Sequence, residues 1–203
     1  MGPHVDHKQR IDLILQNAQE LFSELGYQQV TLKLLAKRCH LSRTVLYRYY
    51  KSKRNVFEAV LFHIADFIGK EFMQYVHEHP HLLASEKLRA ILFRLTQYME
   101  ENTAFLDAVV EYLIDQQRLG ESVTQRVMRH TVLLRLALVR LIREGVMQGE
   151  FQAVHCTQIA GVFYDMLLGA AMQMAVTETH YPDEFRERLD MAIYALKKCP
   201  TLP

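Results

Sequence analysis

Apolar residues recur every three or four positions along almost the whole chain, which is the spacing expected of amphipathic helices. Strand signals are almost absent, because the sequence has no Asn-Gly or Asp-Gly turn and few alternating β-branched runs. Glycine, proline and asparagine residues interrupt the pattern and mark helix ends. The sequence therefore predicts an all-α fold. The nine predicted helices cover residues 7–25, 32–39, 43–50, 53–79, 85–101, 103–118, 122–147, 155–177 and 183–199.

The second and third predicted helices are short and lie close together in the sequence. Thr31 and Ser42 precede them, at positions where a side-chain oxygen accepts a hydrogen bond from a first-turn N–H. Two short helices around a tight connection are typical of a helix-turn-helix, whose second helix enters the major groove of DNA. On that helix Leu46 falls one turn after Ser42 and is expected to point inward. Arg43 and Tyr47 then face a partner.

The outward side chains of this second helix suit a nucleic acid. Arginine can chelate O6 and N7 of guanine, and Thr44 can offer its hydroxyl or its methyl group to a base edge. Tyrosine hydroxyls and Lys53 suit phosphate oxygens, which position a protein without carrying sequence information. The alternative is a solvated basic helix without a function. The concentration of helix caps, aromatic hydroxyls and basic groups between residues 26 and 57 favours DNA binding.

Charge is distributed unevenly, although the whole chain carries a formal net charge of only +1. Residues 1–54 contain ten Lys or Arg and four Asp or Glu, whereas residues 55–203 contain fourteen and nineteen. A basic N-terminal part on an acidic body is typical of a protein whose polyanionic partner binds at one end only. We therefore expect double-stranded DNA to be the partner of the N-terminal part.

The segment from Leu46 to Lys53, LYRYYKSK, resembles the LYxHFxSK signature of the TetR family of bacterial transcriptional regulators. The resemblance extends over about residues 10–60 and is architectural beyond them. It implies that the tyrosines and Lys53 touch phosphates, that the threonine before the second helix caps it at the backbone, and that the remaining positions approach the bases. The implied DNA-contacting residues are Thr31, Lys33, Arg43, Thr44, Val45, Tyr47, Tyr49 and Lys53.

Two sites depart from the family pattern. His40 stands in the turn where glycine is usual, so it must adopt a positive φ, which histidine tolerates better than a β-branched residue does. Tyr49 and Tyr50 stand where histidine and phenylalanine are commoner, and both keep an aromatic ring. Neither departure is expected to remove the turn.

The resemblance also implies two domains with different roles. Residues 1–52 would form a helix-turn-helix DNA-binding domain, and residues 53–203 a helical domain for effector binding and dimerisation. We expect a cytoplasmic regulator, without a cofactor, that acts as a repressor released from its operator by a small-molecule effector. One alternative is a DNA-binding protein of this fold that is controlled by protein partners. A small helical enzyme is the other, but the chain has no HExxH, GxSxG, GxGxxG or P-loop motif.

The last two predicted helices are apolar over more of their surface than one contact face requires. Small residues such as Gly161 and Gly169 would allow another helix to approach closely. An ordinary monomer core is the alternative that periodicity leaves open. Two-fold pairing of these helices into a four-helix bundle would cover them, and it would present two recognition helices to a pseudo-palindromic operator. We therefore expect a homodimer.

Arg135 lies among leucines on the helix predicted at residues 122–147, opposite the other arginines of that helix. If those arginines are solvated, Arg135 points inward, where its charge needs an acidic partner. That partner is either a buried acid (Glu111, Asp115 or Asp165), which we favour, or the acidic group of an effector. The candidate effector-pocket residues, most of which we expect to be core, are Phe93, Tyr98, Phe105, Tyr112, Met128, Arg135 and Phe163.

The other candidate sites are weaker. Cys39, Cys156 and Cys199 have no metal-ligand spacing, and we expect cytosolic thiols rather than redox sensors. The sequence HEHPH at residues 77–81 is expected to be a solvated helix end rather than a metal site. The apolar segment 159–176 is interrupted by polar residues, so we expect a buried helix and no association with a membrane.

Overall fold

The computed structural model describes residues 3–177 and 182–198, with side chains at 7–122, 131–177 and 183–198. Over these residues the chain forms nine α-helices and no strand, apart from one isolated bridge between Phe151 and Lys197. The all-α fold with nine helices is therefore confirmed. The helices are α1 (Pro3–Gln29), α2 (Leu32–Arg38), α3 (Arg43–Tyr49), α4 (Lys53–Glu78), α5 (Ala84–Glu101), α6 (Thr103–Arg118), α7 (Val123–Met147), α8 (Cys156–Thr177) and α9 (Pro182–Leu196).

The first helix does not stop where the sequence pattern predicts. Gly26 has a φ of 73° and a ψ of 168°, which is not helical, yet helical hydrogen bonding resumes and continues to Gln29. Glycine reaches this positive φ without steric cost. The predicted stop at Gly26 is thus a break within α1, followed by one further turn.

The helices group into two compact units. The first contains Met1–Asp66 and Asn102–His130, and the second contains Phe67–Glu101 and Thr131–Pro203. Helix α4 contributes residues to both units, and α6 belongs to the first because it packs along α1. The functional division at residue 52 stays a prediction, since packing groups the chain differently.

An aromatic cluster forms the centre of the first unit. The Phe57 ring lies 5.0 Å from the Tyr27 ring and 4.8 Å from the Tyr112 ring, measured between centroids, with Phe22 and Phe105 also in contact. The Tyr112 hydroxyl donates to Glu58 Oε1 at 2.8 Å, so its polar end is satisfied although only 1% of the residue is exposed. Burial raises the pKa of Tyr27 to about 12. The cluster joins α1, α4 and α6.

Helices α5, α7, α8 and α9 supply most of the second unit, and ion pairs link several of them. Lys87 of α5 is only 3% exposed, and its Nζ lies 2.8 Å from Glu144 Oε1 of α7. Arg89 of α5 pairs with Asp190 of α9 at 2.7 Å. Breaking the pair made by the buried Lys87 costs more than breaking the exposed pair of Arg89 and Asp190, because it leaves an uncompensated charge in the interior. The two pairs link α7 and α9 to α5.

Helix α8 is long and apolar enough to cross a membrane by length and composition. One of its faces is buried in the second unit, as expected for a core helix, and carries Phe163 and Leu167. The other face leaves Val162, Leu168 and Val176 exposed. The predicted burial of α8 therefore holds for one side of the helix within this single chain.

Gly145 provides a test of the packing in the second unit. A Cβ at Gly145 would lie 2.3 Å from Cδ2 of Phe151, which is fully buried, so Gly145→Ala must displace that ring. We expect a loss of about 1–3 kcal/mol in the free energy of unfolding, measured by denaturant titration. The matched control is Gly69→Ala, where the nearest atom would be Leu133 Cδ1 at 3.9 Å. There we expect no loss, because alanine favours helix; equal effects of the two changes would contradict this account.

Candidate nucleic-acid interface

Two hydroxyl caps build the helix-turn-helix. Thr31 Oγ1 accepts a hydrogen bond from the Leu34 N–H at 3.2 Å, and Ser42 Oγ accepts one from the Val45 N–H at 3.3 Å. Each satisfies an otherwise unpaired amide in the first turn of a seven-residue helix. Both caps are where the sequence predicts them. Leu46 is fully buried, also as predicted, so the orientation of α3 is fixed by its inner face.

The turn between α2 and α3 has the positive φ that the sequence requires. His40 has a φ of 53°, and it is the one non-glycine residue with a positive φ in the part of the chain that the structure describes. The Leu41 N–H donates to the Ala36 carbonyl at 2.9 Å, and the His40 N–H donates to the Lys37 carbonyl at 3.2 Å. These two bonds close α2 as a left-handed C-terminal residue normally does. Histidine therefore serves here in place of glycine.

The two short helices enclose a surface depression of about 450 Å³. Several of the predicted DNA-contacting residues meet there: Thr31, Lys33, Arg43, Tyr47 and Lys53 all line it. The first four are exposed on the surface. An exposed set of basic, hydroxyl and aromatic groups at the start of a capped helix can offer donors to base edges and phosphates.

The remaining predicted contact residues lie outside the depression. Thr44 is exposed and Val45 is half-buried. Tyr49 is half-buried, and its ring stacks on His7 of α1 with centroids 5.2 Å apart. The recognition helix is therefore attached to the N-terminal part of α1 by this stacking.

Lys53 is engaged within the protein. Its Nζ donates to the Tyr27 carbonyl at 2.8 Å and to the Gln28 carbonyl at 3.0 Å, and it lies 4.3 Å from the centroid of the Tyr27 ring. Burial lowers the pKa of Lys53, and the carboxylates of Asp115 and Glu111 partly oppose that shift. Lys53 thus caps the C-terminal end of α1, where carbonyls are unpaired and a cation is favoured. The sequence pattern did not indicate this role.

Gln28 also lines the depression, and sequence reasoning missed it. Its backbone N–H donates to Glu111 Oε2 at 3.0 Å, and its side-chain Nε2 lies 3.5 Å from Asp115 Oδ1. The sequence offered one signal for this contact, which is Gly26. A glycine that breaks a helix leaves the amides of the next turn in need of acceptors, and Gln28 lies in that turn.

Not every basic residue of this region is available to a polyanion. Arg38 of α2 pairs with Glu24, and also lies 3.8 Å from Glu20. Its hydrogen bond to Glu24 raises the pKa of the Arg38 guanidinium and lowers that of the Glu24 carboxyl. Arg38 therefore contributes little positive charge to the surface around the depression. The exposed Lys33 and Arg43 contribute more of that charge than a count of basic residues in the region suggests.

The structure divides the candidate effector-pocket residues between the two units. Phe105 and Tyr112 belong to the aromatic cluster of the first unit. In the second unit Phe163 is buried, Tyr98 is half-buried, and Phe93 lies under Arg89, whose Cζ is 4.1 Å from the ring centroid. Met128 lies outside the described side chains. The second unit has a groove of about 340 Å³ elsewhere, lined by Glu71, Phe72, Gln74, Tyr75, Glu78, Ala90, Ile91 and Arg94.

Arg135 is half-buried and lies over an aromatic ring. Its Cζ is 5.2 Å from the centroid of Tyr164, whose hydroxyl is bonded by Thr131 Oγ1 at 3.1 Å. None of the acids considered from the sequence pairs with Arg135: Glu111 and Asp115 bond to Gln28, and Asp165 is exposed. Among the described side chains the guanidinium is thus held by a cation–π contact rather than by an ion pair.

The thiol and histidine candidates show no assembled site in the regions described. Cys39 is buried at the C-terminal end of α2, and burial raises the pKa of its thiol, which disfavours the reactive thiolate. His79 stacks on Tyr75 with centroids 4.3 Å apart. Within the described residues, no group of three or more His, Cys, Asp or Glu side chains could hold a metal ion. Cys199 lies outside them.

Comparison with known proteins agrees with this geometry. The sequence model described as "Bacterial regulatory proteins, tetR family" matches residues 14–60. The chain is 29% identical over 171 residues to the uncharacterized HTH-type transcriptional regulator YfiR of Bacillus subtilis, covering 82% of each protein. It is 26% identical over 155 residues to the nucleoid occlusion factor SlmA of Photobacterium profundum, covering 75% of this chain and 78% of that protein.

Solved structures share the fold. A TetR transcription regulator from Haloarcula marismortui superposes with a TM-score of 0.78 at 19% identity, covering 94% of this chain and all of that one. The regulator FadR of Bacillus subtilis, in complex with stearoyl-CoA, gives a TM-score of 0.71 at 14% identity, covering 89% and 96%. The capped helix-turn-helix, the family match and the shared fold agree: this chain is a DNA-binding transcriptional regulator that matches the TetR family over its helix-turn-helix, at residues 14–60, and shares the fold of that family's regulators.

Proposed function

We propose that the protein is a cytoplasmic, homodimeric repressor that binds a pseudo-palindromic operator and leaves it when a small molecule binds. The observation that carries the DNA-binding part is the depression shared by Thr31, Lys33, Arg43, Tyr47 and Lys53. The family and the fold are those of transcriptional regulators rather than of enzymes. We infer that the chain itself has no catalytic role.

Within this interface the contacts divide into two kinds. Arg43, Thr44, Val45 and Lys33 are proposed to read the bases, since they lie on or beside the start of the recognition helix. Tyr47, Tyr49 and Lys53 are proposed to touch phosphates, while Thr31 holds the backbone of α2. The ammonium group of Lys53 has three N–H donors. Two of them are directed at carbonyls of α1, so one remains to donate to a phosphate.

Lys53→Ala tests the phosphate contact. Loss of one phosphate contact per half-site should weaken binding to all sequences and reduce the slope of log K against log salt by about one unit per half-site. The free energy of unfolding should also fall by about 1–3 kcal/mol, because two carbonyls of α1 lose their donor. The control is Lys51→Ala, an exposed lysine two positions away that does not line the depression; its slope should stay that of the wild type. Equal slopes for all three proteins would remove Lys53 from the DNA contacts.

The proposed homodimer rests on the apolar face that the single chain leaves uncovered. On α9, Met191 is 71% exposed and Tyr194 is 77% exposed. On α8, Val162 and Val176 are exposed seven residues to either side of Gly169, so the three positions lie on one stripe. A second copy would cover this face and place two recognition helices on the two halves of an operator.

A charge at the centre of this stripe tests the dimer. Gly169→Glu would bury an unpaired carboxylate in the interface, and the protein should sediment as a monomer at micromolar concentration. The control is Thr157→Glu, which adds the same charge to an exposed polar position of α8 about 120° around the helix from Gly169 and should leave the sedimentation unchanged. The Gly169→Glu substitution causes no clash at its Cβ within the single chain, because nothing lies within 4 Å of a Cβ built at Gly169. A monomeric wild type would refute the proposal.

The proposed effector is an amphipathic acid that Arg135 would anchor. Two observations support it: Arg135 is half-buried without a carboxylate partner among the described side chains, and exposed Leu133 and Leu136 lie beside it on α7. The FadR structure that shares this fold contains stearoyl-CoA, which has an anionic head and an apolar tail. An arginine suits such a head because its donors match carboxylate and phosphate oxygens.

Stearoyl-CoA is a suitable probe for this site. It should reduce DNA binding by the wild type and by Arg140→Met, which loses an exposed arginine of the same helix, but not by Arg135→Met. Effector-free DNA binding of Arg135→Met should be normal, with a stability loss of only about 0.5–1 kcal/mol from the cation–π contact. A response retained in Arg135→Met but lost in Arg94→Met would place the site in the α4–α5 groove instead.

A further inference from the structure

A carboxylate of α6 reaches the edge of the DNA-facing depression without lining it. Glu111 is half-buried, and its Oε2 accepts the Gln28 backbone N–H at 3.0 Å. Gln28 lines the depression and Glu111 does not. Both residues belong to the first compact unit, where α6 packs along α1. The hydrogen bond that joins Glu111 to the interface is therefore made to the backbone of α1.

The break at Gly26 makes this contact necessary. Gly26 is not helical in φ and ψ, so the final turn of α1 starts anew after it, and the first amides of a helical turn need acceptors from outside the helix. The Glu111 carboxylate supplies an acceptor from outside the helix, as an N-terminal capping residue normally does from within. Gly26 also leaves the space for it, because a Cβ there would lie 2.8 Å from Glu111 Oε1. The missing side chain at residue 26 and the carboxylate at residue 111 thus form one structural feature.

The same turn carries the groups that hold Lys53. The carbonyls of Tyr27 and Gln28 accept the two hydrogen bonds from Lys53 Nζ. The turn is consequently fixed at its amide end by Glu111 and at its carbonyl end by Lys53. A shift of the turn would move Gln28 and Lys53 together, and both line the depression. Asp115, one turn after Glu111, lies 3.5 Å from the Gln28 side-chain nitrogen and reinforces this arrangement.

We propose that Glu111 is a positioning residue for sequence recognition. Through the Gln28 amide it fixes the last turn of α1, and with it the register of the phosphate contacts against the bases read from α3. The inference rests on the proposed DNA-binding face. Nonspecific binding depends on total charge and tolerates a displaced turn, whereas specific binding requires phosphate and base contacts at the same time. Loss of Glu111 should therefore reduce specificity more than affinity.

Two substitutions separate positioning from charge. Glu111→Gln removes the charge but keeps an oxygen that can accept the Gln28 N–H, and Glu111→Ala removes both. The probes are a duplex that the wild type selects from a random DNA library and a random-sequence duplex of equal length. For Glu111→Ala we expect the ratio of the two affinities to fall about tenfold, the size of one hydrogen bond to a charged group. For Glu111→Gln we expect a ratio close to that of the wild type, with both affinities slightly raised.

Asp107→Ala is the matched control, because it removes an equal charge from an exposed position of the same helix one turn earlier, and its ratio should be unchanged. Melting curves accompany each titration, so that every ratio is measured on folded protein. Equal ratios for Glu111→Gln and Glu111→Ala would show a charge effect and overturn the proposal. A lower melting temperature for Glu111→Ala with an unchanged ratio would show a purely structural role and overturn it too. A wild type that selects no duplex would refute the DNA-binding face itself, and the role of Glu111 with it.

Discussion

The packing of Phe57 against the rings of Tyr27 and Tyr112 is the interaction on which the DNA-binding unit depends. These three side chains come from α4, α1 and α6, and each is almost completely buried. A buried aromatic side chain contributes about 1.5–3 kcal/mol through its apolar area, so the three rings offset part of the cost of ordering the two short helices beside them. An unpaired Tyr112 hydroxyl would destabilise that core, but this hydroxyl donates a hydrogen bond to Glu58 Oε1 at 2.8 Å. The helix-turn-helix is thus supported by a core that its own seven-residue helices could not supply.

The parts of the site that depend on nearby residues could be predicted from the sequence. Thr31 and Ser42 cap helices whose first turns follow them directly, and Leu46 is buried because of its place one turn after a cap. His40 takes a positive φ because the chain must leave α2 there. Each of these features is determined by fewer than ten consecutive residues, so a local pattern is sufficient.

The features that were missed depend on contacts between distant residues. Glu111 and Gln28 are 83 positions apart, and no periodicity connects them. For Lys53 the sequence predicted a phosphate contact, but not that its Nζ lies on the ring of Tyr27, 26 positions away. The candidate pocket residues Phe105 and Tyr112 have the same apolar character as a cavity lining, and only the tertiary packing places them in the core. Side-chain type indicates burial in such cases, but it does not indicate what a residue is buried against.

Because α6 belongs to the first unit, the part of the chain that packs around the helix-turn-helix is not one continuous segment that a chimaera could exchange. A chimaera joined after residue 52 would take the helix-turn-helix without Phe57, Phe105 and Tyr112, so Tyr27 would lose the rings that cover it. A crossover that keeps α1 to the first part of α4 together with α6 would preserve that contact surface. The segment that travels with the DNA-binding function is therefore discontinuous in sequence. An exchange of everything after the recognition helix would therefore replace the rings that pack on Tyr27 together with the effector-binding part of the chain.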